Sequence, residues 1–311
     1  MKKVVIGTRG SALALCQAEM VEVALGKAFP DLEIERRVIL TTGDRRTDVA
    51  LSEVAKVEGV WDKGVFIKEI EVALENGEID IAVHSLKDLP TVLDAPFALA
   101  GVLERAPVND VFVCKKGGSW KNLQAGQVVG TSSVRRARQV TFLKKGVTVC
   151  DLRGNVPTRL RKLGDSKVMD GILLAEAGMH RLGYVTDGAL EIEGHELEVQ
   201  PLSCDEFYPA AGQGAVGLET RVGDDASQKL VAAINHAATF AVVTAEREFL
   251  RLLDGGCHTP IGVWSDIAGD ELRMAARVFP EEEGSPSEAK FSGKMSAPLR
   301  VGNGLFEALL P

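Results

Sequence analysis

The sequence predicts an α/β protein of two similar lobes with mainly parallel sheets, followed by a small α+β domain with an antiparallel sheet. Short apolar strands alternate with helical stretches through the early part of the chain, the pattern of βαβ units. One local plan occurs twice, in Ile6-Gly7-Thr8-Arg9-Gly10-Ser11 and in Val129-Gly130-Thr131-Ser132-Ser133: a strand, a Gly-Thr step, small polar residues and a helix. After Gly262 the pattern becomes strand-like runs joined by turns. The expected boundaries are 1–104 with about 212–233 for the first lobe, about 105–211 for the second and about 234–311 for the third domain. The two lobes are expected to face each other across a cleft.

Lys3–Gly7 reads as the first strand, and Thr8-Arg9-Gly10-Ser11 leads into a helix over about Ala12–Lys27. Ser11 suits its N-cap, and Leu13, Cys16, Met20, Val23 and Ala24 mark its apolar face. Glu33–Leu40 is a second strand, and a second helix near Phe66–Glu75 stops at Asn76-Gly77. Ile79–Val83 is a short apolar strand that ends in His84-Ser85-Leu86-Lys87-Asp88-Leu89-Pro90. Phe97–Leu103 and Val111–Cys114 are strand-like, and Val128–Gly130 feeds a helix bearing Arg135, Arg136 and Arg138. Val147–Leu152 ends in Arg153-Gly154-Asn155. There Asn155 caps a helix with Pro157 in its first turn, where a missing N–H costs little, and Arg159 follows. Ile172–Ala175 leads to Gly178-Met179-His180-Arg181, and from Gly183 to Phe207 the signal is weak. Pro209–Gly214 is a loop feeding a strand Ala215–Glu219 that returns the chain to the first lobe. A helix from about Ala237 to Leu253 precedes the third domain, with strands at Gly262–Ile267, Glu271–Val278 and Ala289–Gly293.

Composition excludes several classes. Hydrophobic residues make up 45% of the 311, ordinary for a soluble globular chain. No apolar run reaches the roughly 18 residues of a membrane span, and the apolar start is shorter than the roughly 7–15 residues of a signal h-region. Cys16, Cys114, Cys150, Cys204 and Cys257 form no CxxC pair, and their odd number argues for a reducing cytosol over a disulfide framework. A net charge of −8 argues against a nucleic-acid binder, and two tyrosines leave few stacking platforms. Neither GxxxxGK[ST] nor GxGxxG occurs, and no HExxH or clustered His/Cys spacing suggests a metal.

Arg9, Arg135, Arg136, Arg153, Arg159 and Arg181 fall at predicted strand ends or helix starts. Ligands of open α/β sheets sit at the carboxyl ends of strands, and helix N-termini with guanidinium forks hold carboxylates or phosphates. One such arginine alone reads as a surface ion pair worth under ~1 kcal/mol. Together they suggest a ligand with many acidic groups. Asp88 reads either as a surface partner of Lys87 or as a positioned, partly enclosed carboxylate that handles protons or stabilises a cation. Cys257 follows Gly255-Gly256 just past a helix end, either a displayed thiol or a small packed hydrophobe. The helix C-terminus itself disfavours a thiolate. His84 reads as structural.

The motifs resemble, in chain order from Arg9 to about Gly262, the hydroxymethylbilane synthase (porphobilinogen deaminase) family. They are Ser11-Ala12-Leu13-Ala14 with Gln17, Phe66-Ile67-Lys68-Glu69-Ile70-Glu71, Ala82-Val83-His84-Ser85-Leu86-Lys87-Asp88-Leu89-Pro90-Thr91, Gly130–Arg136, Leu152–Val156 with Thr158-Arg159-Leu160, and Gly255-Gly256-Cys257. The resemblance implies a cytoplasmic transferase of porphyrin (heme) biosynthesis. Porphobilinogen would lose ammonia to give a methylene-pyrrole cation, repeated addition would build a linear tetrapyrrole, and water would release hydroxymethylbilane. It also implies a dipyrromethane cofactor held by a thioether to Cys257, and Asp88 as the group that stabilises pyrrole cations and handles protons. Arg9, Ser11, Lys63, Lys87, Ser133, Arg135, Arg136, Arg153, Arg159 and Arg181 would bind the acetate and propionate groups. No metal, nucleic acid or membrane partner is expected, and the chain is expected to act as a monomer.

One departure stands out. The family places Gly-Gly before Lys-Gly on a mobile loop over its active site, whereas Trp61-Asp62 precede Lys63-Gly64 here, which puts the role of Lys63 in question. The competing class is a binding module, because the two-lobed plan is similar to periplasmic-binding-protein architecture, which also clamps anions between lobes. Such a protein needs neither Cys257 nor Asp88 and usually carries a secretion signal.

Overall fold

The computed structural model describes residues 2–45, 67–254, 259–280, 282 and 284–310. The strands are β1 (Lys3–Arg9), β2 (Glu33–Ile39), β3 (Ile81–Ser85), β4 (Phe97–Val102), β5 (Asp110–Lys115), β6 (Val128–Gly130), β7 (Thr148–Cys150), β8 (Gly171–Ala175), β9 (Gly188–Ile192), β10 (His195–Pro201), β11 (Val216–Arg221), β12 (Ile261–Ala268), β13 (Glu271–Val278) and β14 (Ser287–Lys294). Among the described residues the helices of six residues or more are α1 (Ala12–Ala28), α2 (Lys68–Glu75), α3 (Val134–Leu143), α4 (Val156–Asp165), α5 (Glu176–Arg181), α6 (Asp225–Ile234), α7 (Ala237–Leu252) and α8 (Pro298–Glu307). A 3-10 turn, Leu86–Asp88, follows β3. The chain divides into two compact units, Met1–Arg105 with Ala215–Val243 and Ala106–Gly214 with Thr244–Pro311. Among the described residues no helix is long and apolar enough to cross a membrane.

Both units are built on one plan. The first sheet has the order β2-β1-β3-β11-β4, and the large sheet of the second unit has β7-β6-β8-β5-β10-β9. β1 runs parallel to β2 and β3, as β6 does to β7 and β8. β11 is antiparallel to β3, as β5 is to β8. The sheets are therefore mixed, with the parallel pairings confined to the three strands at one side of each. The repeated Gly-Thr step has a packing cause. A Cβ on Gly7 would lie 2.3 Å from Ile79 Cδ1, and one on Gly130 2.7 Å from Met169 Sδ, so a neighbouring side chain crosses each strand at its glycine.

In the first unit Val4, Ile6, Val83 and Leu218 pack under α1, while Ile70 and Leu74 of α2 pack against Ile79 and Ala82 in a separate cluster. Each buried valine, leucine or isoleucine among them contributes roughly 1.5–3 kcal/mol by leaving water. The apolar face of α1 needs correction. Its buried stripe is Ala14, Gln17, Ala18, Val21 and Leu25, and Val23 is exposed. Apolar residues surround most of this helix, so spacing alone did not select a face. Ala14 and Ala18 are small enough to let the helix approach the sheet closely.

In the second unit Leu160, Leu163, Ile172 and Met179 pack with Leu190, Ile192, Leu197 and Val199 on one face, and Phe112, Trp120, Val140 and Phe207 pack on the other. The stretch with the weak sequence signal is the hairpin β9–β10. It turns through Glu193 (φ 48°) and Gly194 (φ 82°), the paired positive φ of a tight hairpin. The third domain is the antiparallel sheet β12-β13-β14 with α8 against it. A Cβ on Gly304 would meet the Phe291 ring at 2.4 Å, so that glycine sets the close approach of α8.

Candidate active site

In the first unit, β1 and β3 are parallel neighbours, so their carboxyl ends bring Arg9-Gly10-Ser11 and Ser85–Asp88 to one sheet edge. Ser11 caps α1 by accepting from the Ala14 amide at 3.3 Å. Buried Gln17 on α1 holds the end of β3, with its Nε2 donating to Ser85 Oγ at 2.9 Å and its Oε1 accepting from that hydroxyl at 3.0 Å. The Leu86 amide donates to the Ala215 carbonyl at 3.1 Å. Leu86 and Leu89 take the buried positions of the turn, leaving Lys87 half-buried and Asp88 exposed. Partial enclosure of Asp88 was expected. It is exposed because the two leucines flanking it anchor the turn instead.

Behind this edge His84 and Glu219 are buried, with His84 Nε2 3.0 Å from Glu219 Oε2. Burial pushes the nearby Glu71 carboxyl up to about 7, with the charges of Glu219 and Asp94 adding to the shift.

In the second unit, β6, β7 and β8 are parallel, and their carboxyl ends lead into α3, the loop to α4 and α5. Ser132 Oγ ties two of these exits together, donating to the Leu152 carbonyl at 2.6 Å and accepting from the Leu152 amide at 3.1 Å. Asn155 caps α4, as its sequence context suggests, and Ser133 caps α3. Pro157 sits in the first turn of α4. Two N-termini, with their partial positive charge, therefore emerge at one edge. Arg153 Nε donates to Asp151 at 3.2 Å, and Arg159 Nε donates to the Gly154 carbonyl at 2.7 Å. Both side chains lie at the half-buried surface of that edge.

Arg181 does not occupy a helix start. It is the last residue of α5, and its NH2 donates to the Gly214 carbonyl at 2.7 Å. A cation at that end suits the helix dipole, which the sequence pattern around Gly178 did not reveal.

Arg135 and Arg136 are almost wholly buried and converge on Asp110. Asp110 Oδ2 accepts from Arg135 NH1 at 2.6 Å, and Oδ1 accepts from Arg136 Nε at 2.9 Å and NH2 at 2.6 Å. Burial pushes the Asp110 carboxyl up, but the two guanidinium groups outweigh it and hold the group well below the usual carboxylate range. Arg135 NH1 also donates to the Tyr208 carbonyl at 2.5 Å. The third domain braces Tyr208, since the Arg277 guanidinium carbon sits 4.6 Å from the centre of its ring. Asp110 was missed in the sequence. The available signal was a lone carboxylate opening the apolar strand Val111–Cys114, which has to find a cation once buried.

Lys63, Trp61, Asp62 and Cys257 lie outside the described residues. Among the described residues no group of three acidic, His or Cys side chains is arranged to hold a metal. Each edge can instead hold anions, through helix N-termini, serine hydroxyls and guanidinium groups.

Comparison with known proteins bears on what those anions are. The family model "Porphobilinogen deaminase, dipyromethane cofactor binding domain" matches residues 4–229, and "Porphobilinogen deaminase, C-terminal domain" matches 240–310. The porphobilinogen deaminase of Carboxydothermus hydrogenoformans is 39% identical over 309 residues, covering 99% of this chain and 94% of its own. That of Shouchella clausii is 44% identical over 270 residues, covering 87% and 82%. With such identity along nearly its whole length and both family domains in order, the chain belongs to the porphobilinogen deaminase family.

Proposed function

We propose that the chain is a cytoplasmic, monomeric hydroxymethylbilane synthase that deaminates porphobilinogen and joins it stepwise into linear hydroxymethylbilane, releasing ammonia. The observation that carries this reading is the pair of sheet edges. In a chain of this family, one edge presents Asp88 with Arg9, Ser11 and Lys87, and the other presents Ser133 with Arg153 and Arg159 at parallel strand ends. A solute-binding module has no use for Asp88 or for Cys257.

Asp88 is the catalytic group. Loss of ammonia leaves a cation on the pyrrole, and a fixed carboxylate stabilises that cation more than the neutral ground state. The same carboxylate takes up and returns the proton as each bond forms. Arg9, Ser11, Lys63, Lys87, Ser133, Arg135, Arg136, Arg153, Arg159 and Arg181 bind the acetate and propionate groups. Each charge-assisted contact contributes roughly 1.5–3 kcal/mol, not additively.

The family implies a covalent dipyrromethane, and the donor set fits such a group: its several carboxylates match guanidinium groups and two capped N-termini on one edge of the second unit. When bound, it supplies the free end to which each pyrrole is added. Cys257 holds it through a thioether. Burial pushes the Cys114 thiol up to about 11, with Glu198 adding to the shift, and burial followed by Asp151 raises Cys150, so neither competes well as a thiolate.

The test is incubation of the purified chain with porphobilinogen. Release of ammonia in step with formation of a linear tetrapyrrole is the expected result. Binding of porphobilinogen with no ammonia released would leave a solute-binding module as the better reading.

A further inference from the structure

We propose that Asp110 is the positioning residue that orients Arg135 and Arg136 for pyrrole carboxylates, an inference that rests on the functional reading above. Asp110 opens β5 opposite Ala175, the last residue of β8, and so stands at the same edge as the strand exits of the second unit. It is fully buried, and one carboxylate receives both guanidinium groups at 2.6 Å. Gln213 Nε2 adds a bond to Oδ1 at 3.2 Å and another to the Val108 carbonyl at 2.7 Å. Each arginine makes a further bond, Arg135 from the same NH1 to the Tyr208 carbonyl and Arg136 from its NH1 to the Leu173 carbonyl at 3.1 Å.

Stability alone gives little reason for this arrangement. A buried ion cluster is commonly no more stabilising than apolar residues of similar volume, because desolvation offsets the attraction. Helix α3 does not need Asp110 to hold its place either. Val140 is in the core, and Gln139 pairs with the Tyr208 backbone in both directions, donating to its carbonyl at 2.9 Å and accepting from its amide at 2.7 Å. What Asp110 fixes is the direction of two guanidinium planes. Orientation of that kind sets affinity for a planar carboxylate, since the forked contact depends on geometry as well as charge.

The experiment compares the parent chain with Asp110→Asn and Asp110→Glu by two readouts: the fraction of chains that carry dipyrromethane by intact mass, and KM and kcat for porphobilinogen per loaded chain. Asp110→Asn should reduce the loaded fraction. Its loaded chains should show KM raised roughly tenfold, the worth of about one charge-assisted contact, with kcat within about threefold of the parent. Asp110→Glu keeps the charge but displaces it, and should fall between parent and Asp110→Asn in both readouts. Parental loading and KM in Asp110→Asn would overturn the proposal, as would a fall in kcat at unchanged KM. If Asp110→Asn does not fold, Asp110→Glu decides. A raised KM at full kcat supports the proposal, whereas a parental KM, or failure of both variants to fold, overturns it by leaving Asp110 a framework residue. Failure of the functional reading has its own signature: the parent chain then shows neither adduct nor turnover, and the proposal falls with it.

Discussion

Asp88 owes its place to its neighbours. Leu86 and Leu89 are buried on either side of it, so the turn is anchored while the carboxylate stays exposed. Removing the charge should therefore leave the fold intact, because surface substitutions away from special features stay within about 0.5 kcal/mol. At a separation of about 4 Å and an effective dielectric near 20, its attraction for the deamination cation is on the order of 4 kcal/mol. Asp88→Asn should accordingly slow turnover by roughly a thousandfold. KM should move little, since the guanidinium groups hold the substrate carboxylates. Single-turnover ammonia release by loaded protein measures this, and an Asn variant within tenfold of the parent would make Asp88 only a structural neighbour of Lys87.

At the scale of elements, the site depends on where strands stop and helices begin. Ser133 caps α3 through the Arg136 amide at 3.4 Å, and Ser133→Ala should cost about 1 kcal/mol. Gly214 is more demanding. Its φ is +84°, and a Cβ there would lie 2.4 Å from the Ala106 carbonyl oxygen, so Gly214→Ala should cost more than about 2 kcal/mol. Urea unfolding at unchanged slope would rank the two, and equal midpoints would contradict the packing argument. Local chemistry made much of this level readable. Ser11 and Asn155 announced their caps, and Asn76-Gly77 ended α2 at the residue expected. The hairpin β9–β10 was hidden because its turn is built on Glu193, an unusual residue for positive φ, although Leu190, Ile192, Leu197 and Val199 alternate as a strand pair should. The buried face of α1 was hidden by a helix apolar nearly all round. Asp110 was hidden because its partners lie 25 and 26 residues away, a distance that only the folded sheet closes.

For the molecule as a whole, half-buried Glu71 and buried Asp110 give stability two opposite dependences on pH. The Glu71 carboxyl stands at about 7 in the folded chain against an ordinary 4.5. Between those values the folded chain holds a proton that the unfolded chain has released, so this group's contribution falls as pH rises through that window and levels off above it. Asp110 acts in the opposite sense. Its folded carboxyl lies well below the ordinary 3.8, so its contribution is present above that pH and is lost as acid titrates the folded group. Glu71→Gln should match the parent near pH 4.5 and melt at higher temperature than the parent at pH 8. Thermal melts at the two pH values check this, and an equal difference at both would show that Glu71 is not the titrating group.

The arginines, Asp88 and Cys257 acquire a common purpose only if the chain carries its own dipyrromethane. The most direct measurement is the intact mass of the purified protein, followed by mapping of the modified peptide. The mass should exceed that of the sequence by one dipyrromethane carried on a peptide containing Cys257, and Cys257→Ala should lose the adduct and the activity together. An unmodified but active chain, or an adduct on Cys16, Cys114, Cys150 or Cys204, would contradict the account.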